Sequence, residues 1–158
     1  MSEQKRVSFS VRPAVYRPER QKKLLLLADP EEAVLEAYIR DCRLFEYVEN
    51  GRVLGVAATL ELPDGSVELK NIAVDPLAQR GGIGSALLQF VCRQAEGRRL
   101  IVGTADVSSE ALAFYERNGF IRFGTIPDFF VEHYAEPVFD NGRRCRDQIL
   151  LEWSANER

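Results

Sequence analysis

The chain contains 158 residues, which is the length of one ordinary domain. Hydrophobic residues make up 46% of it and charged residues 28%, and these proportions exclude a disordered chain. Lys and Arg number 21 against 24 Asp and Glu, so the net charge is −3, which argues against a broad nucleic-acid footprint. Residues 1–158 are therefore predicted to form a single domain that binds no nucleic acid.

Neither a membrane anchor nor a metal site is expected. The longest apolar run, Leu24 to Ala28, is far shorter than the roughly 20 residues of a membrane-spanning helix. The first ten residues are polar and lack the apolar core of a secretion signal. The three cysteines lie far apart in the sequence, and His133 is the single histidine. The chain therefore lacks the set of ligands that most zinc sites need and the residues of most catalytic triads. We expect a cytoplasmic protein with reduced thiols.

The first half of the chain predicts a strand, two helices and a meander of three strands. Polar and apolar residues alternate from Arg6 to Val11, the period of a half-buried strand. Pro18 opens a first helix, which stops near Asp29. Asp29 is placed as the N-cap of a second helix, with Pro30 at its first position. Asn50-Gly51 is a strong hairpin signal. The three meander strands are predicted at residues 44–49, 53–62 and 67–74.

The second half alternates helices with strands. A glycine-rich turn leads into a helix that ends near Glu96, and Gly97 terminates it. Ser108 is placed as the cap of the next helix, which Asn118-Gly119 ends. An aromatic, turn-rich stretch covers residues 127–142. Short strands are predicted at residues 100–102, 120–123 and 148–153. The order β-α-α-β-β-β-α-β-α-β-β predicts an α/β fold with a mixed (α+β) sheet and helices on both faces.

The glycine-rich segment from Gln79 to Ser85 is the most informative part of the chain. A glycine turn between a strand and a helix offers free backbone N–H groups to an anion, and the helix dipole favours negative charge there. Arg80 adds a fork of donors for phosphate oxygens. Ser85-Ala86 replace the Lys-Ser/Thr pair of a P-loop, and Leu87 replaces the last glycine of a dinucleotide fingerprint. The segment is therefore predicted to bind a phosphate group of another kind of ligand.

Three motifs resemble one family. Gln79-x-x-Gly82-x-Gly84 resembles the acetyl-CoA signature of the GNAT superfamily of N-acetyltransferases. The strand Glu68–Val74 is similar to that family's fourth strand, and Ala111–Phe120 is similar to its "FYxxxGF" segment. The resemblance covers residues 53–123 by motif and the rest by element order. It implies one GNAT-like domain with a central, mostly antiparallel sheet of six to seven strands and helices on both faces.

The resemblance also implies acetyl-CoA as co-substrate. In this family the pyrophosphate lies on the N–H groups of the glycine loop, and the pantetheine arm pairs with the fourth strand as an added strand. The thioester carbonyl then lies near the N–H of Ile72 or Ala73. Asp106 stands where the family often has Asn; contact with pantetheine and capping of the following helix both stay open. The implied cofactor-binding residues are Ile72, Ala73, Val74, Gln79, Arg80, Gly81, Gly82, Ile83, Gly84, Ser85, Asp106 and Tyr115.

Acetyl transfer to an amine requires that the ammonium lose a proton and that the CoA thiolate gain one. Tyr115 matches the family's tyrosine near the thioester sulfur and is the predicted acid; a merely packed tyrosine is the alternative. Glu68 is the predicted base; an exposed glutamate paired with Lys70, with a water chain acting instead, is the alternative. Strand alternation puts Glu68, Lys70, Ile72 and Val74 on one face of the sheet.

The acceptor side of the site is poorly encoded. Asp128 to Tyr134 is an aromatic and acidic cluster, read either as a lid in which Asp128 or Glu132 attracts an ammonium, or as a packed C-terminal extension. His133 is a weaker candidate base. Arg143, Arg144 and Arg146 are read as a solvated loop or a local anion patch.

The sequence as a whole predicts an acetyl-CoA-dependent N-acetyltransferase. It transfers the acetyl group directly to a primary amine of a small molecule, peptide or protein in a ternary complex, since no cysteine lies in a motif typical of an acetyl-enzyme. A non-catalytic acyl-CoA-binding sensor or partner module, or a transferase of another acyl group, is the alternative. The predicted partners are acetyl-CoA and an amine acceptor, and a homodimer is left open.

Overall fold

The computed structural model describes residues 8–79 and 81–155, which form one large sheet with helices on both of its faces. The strands are β1 Phe9–Ala14, β2 Arg43–Glu49, β3 Arg52–Glu61, β4 Val67–Val74, β5 Leu100–Ala105, β6 Ile121–Ile126, β7 Phe139–Asp140, β8 Arg143–Arg144 and β9 Gln148–Trp153. The α-helices are α1 Pro18–Ala28, α2 Glu32–Tyr38, α3 Ile83–Gln94, α4 Ser109–Arg117 and α5 Phe129–Glu132. None of the helices formed by the described residues is long and apolar enough to cross a membrane.

The seven-stranded sheet has the order β1-β2-β3-β4-β5-β9-β6. Only the β4–β5 pair is parallel within it; its other neighbours pair antiparallel. This confirms the predicted mixed fold with a mostly antiparallel sheet. Asn50 and Gly51 both have positive φ, at 50° and 78°, which suits the tight turn that joins β2 to β3. Residues 6 and 7 of the predicted first strand lie outside the described residues, and β1 continues to Ala14.

Two hydrophobic cores lie on opposite faces of the sheet. On one face α1, α2 and the short 3-10 helix after α2 bury Leu25, Leu35 and Ile39 against β2 and β3. On the other face α3 and α4 bury residues such as Leu87 and Leu112 against β2, β4, β5 and β9. The sheet is therefore covered by helices on both faces. A gap between two of its strands connects one face of the sheet with the other.

Several predicted boundaries are wrong by a few residues, and each error has a physical cause. The second helix begins at Glu32, and Asp29 is the C-cap of α1 rather than the N-cap of α2. The Asp29 carboxylate accepts hydrogen bonds from two tyrosines instead of from helix N–H groups. Strands β5 and β6 end at Ala105 and Ile126 rather than at residues 102 and 123, because both pair with β9. Ser108 is the residue before α4, but its hydroxyl donates to Asp140 at 2.6 Å.

A β-bulge interrupts β4 at Lys70. Asn71 lies opposite Ala58, whereas Leu69 lies opposite Thr59, so Lys70 is the extra residue of β4. The predicted strict alternation along this strand is therefore wrong. Ile72 packs in the same core as Leu69, on the α3/α4 face, while Asn71 faces α1 and α2. One inserted residue has exchanged the two faces of the second half of the strand.

Candidate active site

The largest opening in the sheet lies between β4 and β5. Their parallel pairing joins Val67–Leu69 to Leu100–Val102, and the described residues show no β4–β5 pairs beyond it. The strands diverge after the bulge, and a cleft of about 1130 Å³ extends from α4 on one face to the α1–α2 junction on the other. Of the predicted site residues, Glu68, Ile72 and Tyr115 line this cleft.

Main-chain groups of β4 face the gap at alternate residues. The N–H of Asp75 donates to Leu54 on β3, and by the period of an antiparallel pair the peptide groups of Ala73 also face β3. The peptide groups of Ile72 and Val74 therefore face the gap. The Gln79 side chain donates to the carbonyl of Val74 at 3.2 Å, in agreement with this direction. The strand thus offers its unpaired edge to an extended, amide-containing ligand.

The glycine loop stands at the end of the gap and opens α3. Gly82 is the N-cap of α3 and has φ of +77°, a conformation that L-residues adopt only with strain. A Cβ at Gly84 would lie 3.4 Å from the Phe114 ring and 3.6 Å from Val74, which are ordinary contact distances, so Gly84 marks where α3 packs on α4 and β4. The Ile83 side chain is buried in the core, and the Ser85 hydroxyl accepts from Asn118 at 3.4 Å. Arg80 lies outside the described residues.

The loop and strand edge fit the phosphate and amide groups of a coenzyme A thioester. The N-terminus of a twelve-residue helix supplies free N–H groups for phosphate, and glycine at Gly81 and Gly82 leaves the backbone open to close approach. The edge of β4 at Ile72 and Val74 supplies donors and acceptors for amides. These two features lie next to each other because Gln79 and Gly84 both contact Val74.

Tyr115 is buried at the inner wall of the cleft. Its ring packs against Phe114 and Phe120, and burial raises the pKa of its phenol above the ordinary value. The phenol therefore keeps its proton at neutral pH and is able to donate it. Glu68 lies on the same cleft with a quarter of its side chain exposed, and the Lys70 ammonium is 3.6 Å from its carboxylate.

Asp106 follows β5 and binds the residues that lead into β9. Its carboxylate accepts from the backbone N–H of Arg146 at 3.2 Å, and its own N–H donates to the Asp147 carbonyl. Asp106 does not cap α4, because the N-cap position of that helix is occupied by Ser108. Contact of Asp106 with pantetheine stays a prediction.

The far end of the cleft holds a buried polar network that the sequence did not predict. Tyr38 and Tyr134 donate to the two oxygens of the Asp29 carboxylate, at 3.1 and 3.0 Å. Asn71 donates to the Tyr38 hydroxyl at 3.1 Å and to the Leu25 carbonyl at 2.9 Å. Burial raises the pKa of Asp29, although the hydrogen bonds from the tyrosines act in the opposite direction. No spacing in the sequence relates these residues, and Asp29-Pro30 looks like an ordinary helix start.

The strap, residues 127–147 between β6 and β9, forms one wall of the cleft. Its aromatic residues line the cleft, with Phe129 stacked on His133 and Phe130 stacked on Tyr134. Its predicted ammonium-attracting residues do not line the cleft: Asp128 pairs with Arg146 at 3.1 Å, and Glu132 is exposed. The Nδ1 atom of His133 lies 2.9 Å from the Phe129 carbonyl oxygen. The strap forms a wall of the cleft, and it presents mainly aromatic side chains there, together with the carboxylate of Asp140.

Comparisons with known proteins agree with this geometry. Residues 40–122 match the family model described as "Acetyltransferase (GNAT) domain". The Uncharacterized N-acetyltransferase YvbK of Bacillus subtilis (strain 168) is 32% identical over 131 residues, which cover 81% of this chain and 84% of that protein.

Solved structures give the same result for the fold. A GNAT family acetyltransferase from Elizabethkingia anophelis with acetyl-CoA bound has a TM-score of 0.85 and 31% identity, covering 91% of this chain and 96% of that one. An "IAA acetyltransferase" from Bacillus cereus ATCC 14579 has a TM-score of 0.83 and 36% identity, covering 92% of this chain and 98% of that one.

Proposed function

The chain belongs to the GNAT acetyltransferase family, whose co-substrate is acetyl-CoA, and on this premise we propose that it transfers the acetyl group directly to a primary amine. The observation that carries the proposal is the gap between β4 and β5. It brings an unpaired strand edge, a buried phenol and a carboxylate to one cleft, and a glycine loop at a helix N-terminus lies beside the end of that strand edge. The two substrates then meet inside the sheet, each entering from its own face.

The donor is proposed to lie along β4 and the glycine loop. The N–H groups of Gly81 to Ser85, together with Arg80, bind the pyrophosphate. The peptide groups of Ile72 and Val74 bind the pantetheine arm and hold the thioester carbonyl. Because the peptide groups of Ala73 face β3, we no longer expect that residue to bind the donor through its main chain. An N–H directed at the carbonyl oxygen stabilises the negative charge that forms during attack.

Glu68 and Tyr115 are proposed to move the two protons. The acceptor ammonium gives a proton to Glu68, directly or through water, and the neutral nitrogen attacks the thioester carbon. A C–N bond forms and the C–S bond breaks. The departing sulfur takes the proton of the Tyr115 phenol, and that tyrosine recovers a proton from the nitrogen of the new amide or from solvent. The Tyr115 phenol, whose pKa is raised by burial, begins the step protonated, as the role of acid requires.

Direct transfer is favoured over an acetyl-enzyme. Cys145 reaches the cleft, but burial raises the pKa of its thiol, whereas a nucleophilic cysteine needs a lowered pKa. Burial likewise raises the pKa of Cys42 to about 11. The described cysteines are all free thiols, which supports the cytoplasm as the compartment. Direct transfer predicts intersecting initial-velocity lines when both substrates are varied; parallel lines would contradict it.

Binding of the donor and turnover test the proposal separately. Acetyl-CoA at 100 times its dissociation constant is expected to stabilise the fold by about 2.7 kcal/mol, measured as a raised melting temperature. Release of free CoA thiol in the presence of a panel of amines then reports transfer. No thermal shift at millimolar acetyl-CoA would contradict the cofactor assignment. A shift without turnover of any amine would favour a non-catalytic acyl-CoA sensor, and faster turnover with another acyl-CoA would assign a different acyl group.

A further inference from the structure

We propose that Asp29 and Asn71 form the acceptor subsite of this cleft, and that the acceptor is a small cationic amine with an apolar body rather than a peptide or protein amine. This inference rests on the proposed function, since it names the substrate class of the same site. It is carried by five observations: a buried carboxylate, an unpaired buried acceptor atom, the charge of the cleft wall, the aromatic rings of that wall, and the attachment of the strap.

Asp29 is a buried carboxylate that lines the cleft at its end away from Tyr115. Only 7% of the residue is exposed, and its two oxygens are held by the Tyr38 and Tyr134 hydroxyls. Each carboxylate oxygen accepts more than one hydrogen bond, so the two tyrosines orient the group without exhausting it. An ammonium that reaches this carboxylate would supply the charge that a buried anion needs.

Asn71 is independent evidence for a ligand in the cleft, because its side-chain oxygen lacks a hydrogen-bond donor in the part of the chain that the structure describes. The residue is 4% exposed, and its Oδ1 atom has no hydrogen-bond partner among the described residues. Its Nδ2 group is already engaged by the Leu25 carbonyl and the Tyr38 hydroxyl, which fixes the direction of Oδ1. A buried acceptor without a donor costs free energy, and a ligand N–H recovers it. Asn71 also lines the cleft and shares Tyr38 with Asp29.

The charge of the cleft favours a cation. Four carboxylates line the cleft, and Lys70 is the lysine among its lining residues. Lys70 is already engaged, because its ammonium pairs with Glu68 and lies 5.0 Å from the centre of the Tyr38 ring. The four carboxylates are Asp29, Glu31, Glu68 and Asp140. The negative charge that remains attracts a cationic substrate into the cleft.

The remaining wall is aromatic and suits an apolar body attached to the amine. Tyr38 from α2 lines the same cleft as rings contributed by the strap, and aromatic faces attract both apolar groups and cations. The strap rings that line the cleft are Phe129, Phe130, Tyr134 and Phe139.

The strap also limits the size of the acceptor. The Tyr134 hydroxyl donates to Asp29 and the Ala135 N–H donates to Glu31 at 3.5 Å, so the strap is bonded to the opposite wall of the cleft. A peptide would have to continue past this connection on its way to solvent. A small amine fits under it, with its nitrogen between Asp29 and the donor carbonyl.

The test compares two acceptor types and two charge variants. The probes are a set of small primary amines (2-phenylethylamine, tyramine and tryptamine) and a lysine-free pentapeptide with a free N-terminus. The wild-type protein is expected to acetylate at least one small amine with kcat/KM about 100-fold above that of the pentapeptide. A pentapeptide turned over as well as the best small amine would overturn the inference.

Asp29→Asn is expected to raise KM for the best small amine by about 10-fold or more, with the acetyl-CoA dissociation constant unchanged within about 2-fold. The matched control is Glu36→Gln on α2, a carboxylate that does not line the cleft and whose change is expected to leave KM as it is. An unchanged KM in Asp29→Asn, or an equal rise in Glu36→Gln, contradicts the assignment of Asp29.

A wild-type measurement keeps the inference testable if Asp29→Asn does not fold. 2-Phenylethanol has the shape of 2-phenylethylamine without its charge. As a competitor of the best substrate, the alcohol is expected to have an inhibition constant about 10-fold higher than the constant by which 2-phenylethylamine binds. Equal competition by the alcohol would show that the subsite does not read charge. These outcomes differ from failure of the proposed function, in which acetyl-CoA binds but no amine, small or peptidic, releases CoA.

Discussion

The two halves of the cleft are built in different ways. The proposed donor half comprises the edge of β4 at Ile72 and Val74, the adjoining glycine loop and Tyr115, and most of it comes from one continuous stretch of chain that presents main-chain groups. The proposed acceptor half comprises Asp29, Tyr38, Asn71 and the strap, which come from distant parts of the chain and present side chains. The donor half suits acetyl-CoA, the co-substrate of the family, whereas the acceptor half depends on which side chains this chain places there.

Because the two halves are built differently, different kinds of substitution should alter the affinity for the donor and the affinity for the acceptor. A main-chain site depends on backbone conformation, so it is damaged by changes at glycines and is indifferent to most side chains. A side-chain network depends on individual hydroxyl, amide and carboxylate groups, so single-atom substitutions alter it. Variants in one half should therefore leave binding in the other half unchanged, and the following changes test that separation.

Gly82→Val is expected to have the largest effect. A β-branched residue is strained at φ of +77°, and relaxing the loop removes about two charge-assisted N–H contacts to phosphate, which weakens acetyl-CoA binding about 1000-fold. Calorimetric titration of acetyl-CoA measures it. Gly51→Val is the control, since Gly51 has φ of +78° with equally open surroundings but lies in the β2–β3 turn. Similar losses in both variants would mean that general destabilisation, and not the loop, is responsible.

Tyr115→Phe is expected to lower kcat about 100-fold, because the departing thiolate loses its acid. The acetyl-CoA dissociation constant should stay within about 2-fold of the wild-type value, since the ring and its packing on Phe114 and Phe120 are retained. Steady-state rates together with direct titration separate the two quantities. Tyr47→Phe, on β2 beside Phe9, is a control with the same chemical change. A fully active Tyr115→Phe protein would assign the acid to another group.

Arg20→Ala tests how α1, which ends at Asp29, is held on the sheet. Arg20 binds the buried Glu46 carboxylate with two hydrogen bonds of 2.7 and 3.0 Å, and Gln21 adds a third. Removing the cation is expected to lower the free energy of unfolding by about 2 kcal/mol at pH 7, a value reduced because the Arg20 side chain is partly exposed. Urea unfolding measures it. Arg122→Ala, which breaks an exposed pair with Glu116, should cost less than about 1 kcal/mol.

The same pair has a defined pH dependence. Burial raises the pKa of Glu46, but the bonds from Arg20 and Gln21 outweigh it and leave the pKa below the ordinary value. A lowered pKa in the folded protein stabilises it above the unfolded pKa, and this stabilisation is lost as pH falls through the folded pKa. The difference between wild type and Arg20→Ala should therefore shrink below about pH 4. A difference that stays constant with pH would contradict this assignment.

Tyr134→Phe is expected to have the smallest effect. It removes the hydrogen bond from the strap to Asp29 and raises KM for the amine about 3- to 10-fold, with no change in acetyl-CoA binding. Tyr16→Phe is the control, because the Tyr16 hydroxyl is buried without a hydrogen-bond partner among the described residues and lies away from the cleft. A weaker acetyl-CoA complex in Tyr134→Phe would mean that the two halves are coupled through the strap.

The fold could be predicted from the sequence wherever local chemistry decides it. Asn50-Gly51, Pro18 and Asn118-Gly119 mark a turn and two helix ends correctly, because turn and cap preferences act within a few residues. The bulge at Lys70 and the ends of β5 and β6 could not be predicted this way. They depend on strand pairs between distant parts of the chain, and those pairs leave no local signal.

The same distinction between local and long-range information applies to the candidate site. The glycine loop, Glu68 and Tyr115 were proposed from motifs, since a phosphate cradle needs particular residues at fixed spacing. Of the two interpretations of the strap, one has Asp128 or Glu132 attract an ammonium, but neither residue lines the cleft, whereas Asp29 does. Asp29 and Tyr134 are joined by a hydrogen bond across 105 positions, and only tertiary structure brings them together.

The bulge in β4 sets the course of the strand, and deleting Lys70 would remove it. Leu69 and Asn71 already lie opposite the adjacent β3 residues Thr59 and Ala58, so after the deletion the ladder with β3 would be continuous, and Asn71 and the residues after it would keep their present faces. The local bend would be lost, and β4 would run on beside β5 beyond Leu69. The edge of β4 that now faces the gap would then pair with β5 instead of with a ligand. Removing a single codon is therefore expected to close the cleft, whereas substitutions at residue 70 leave it open.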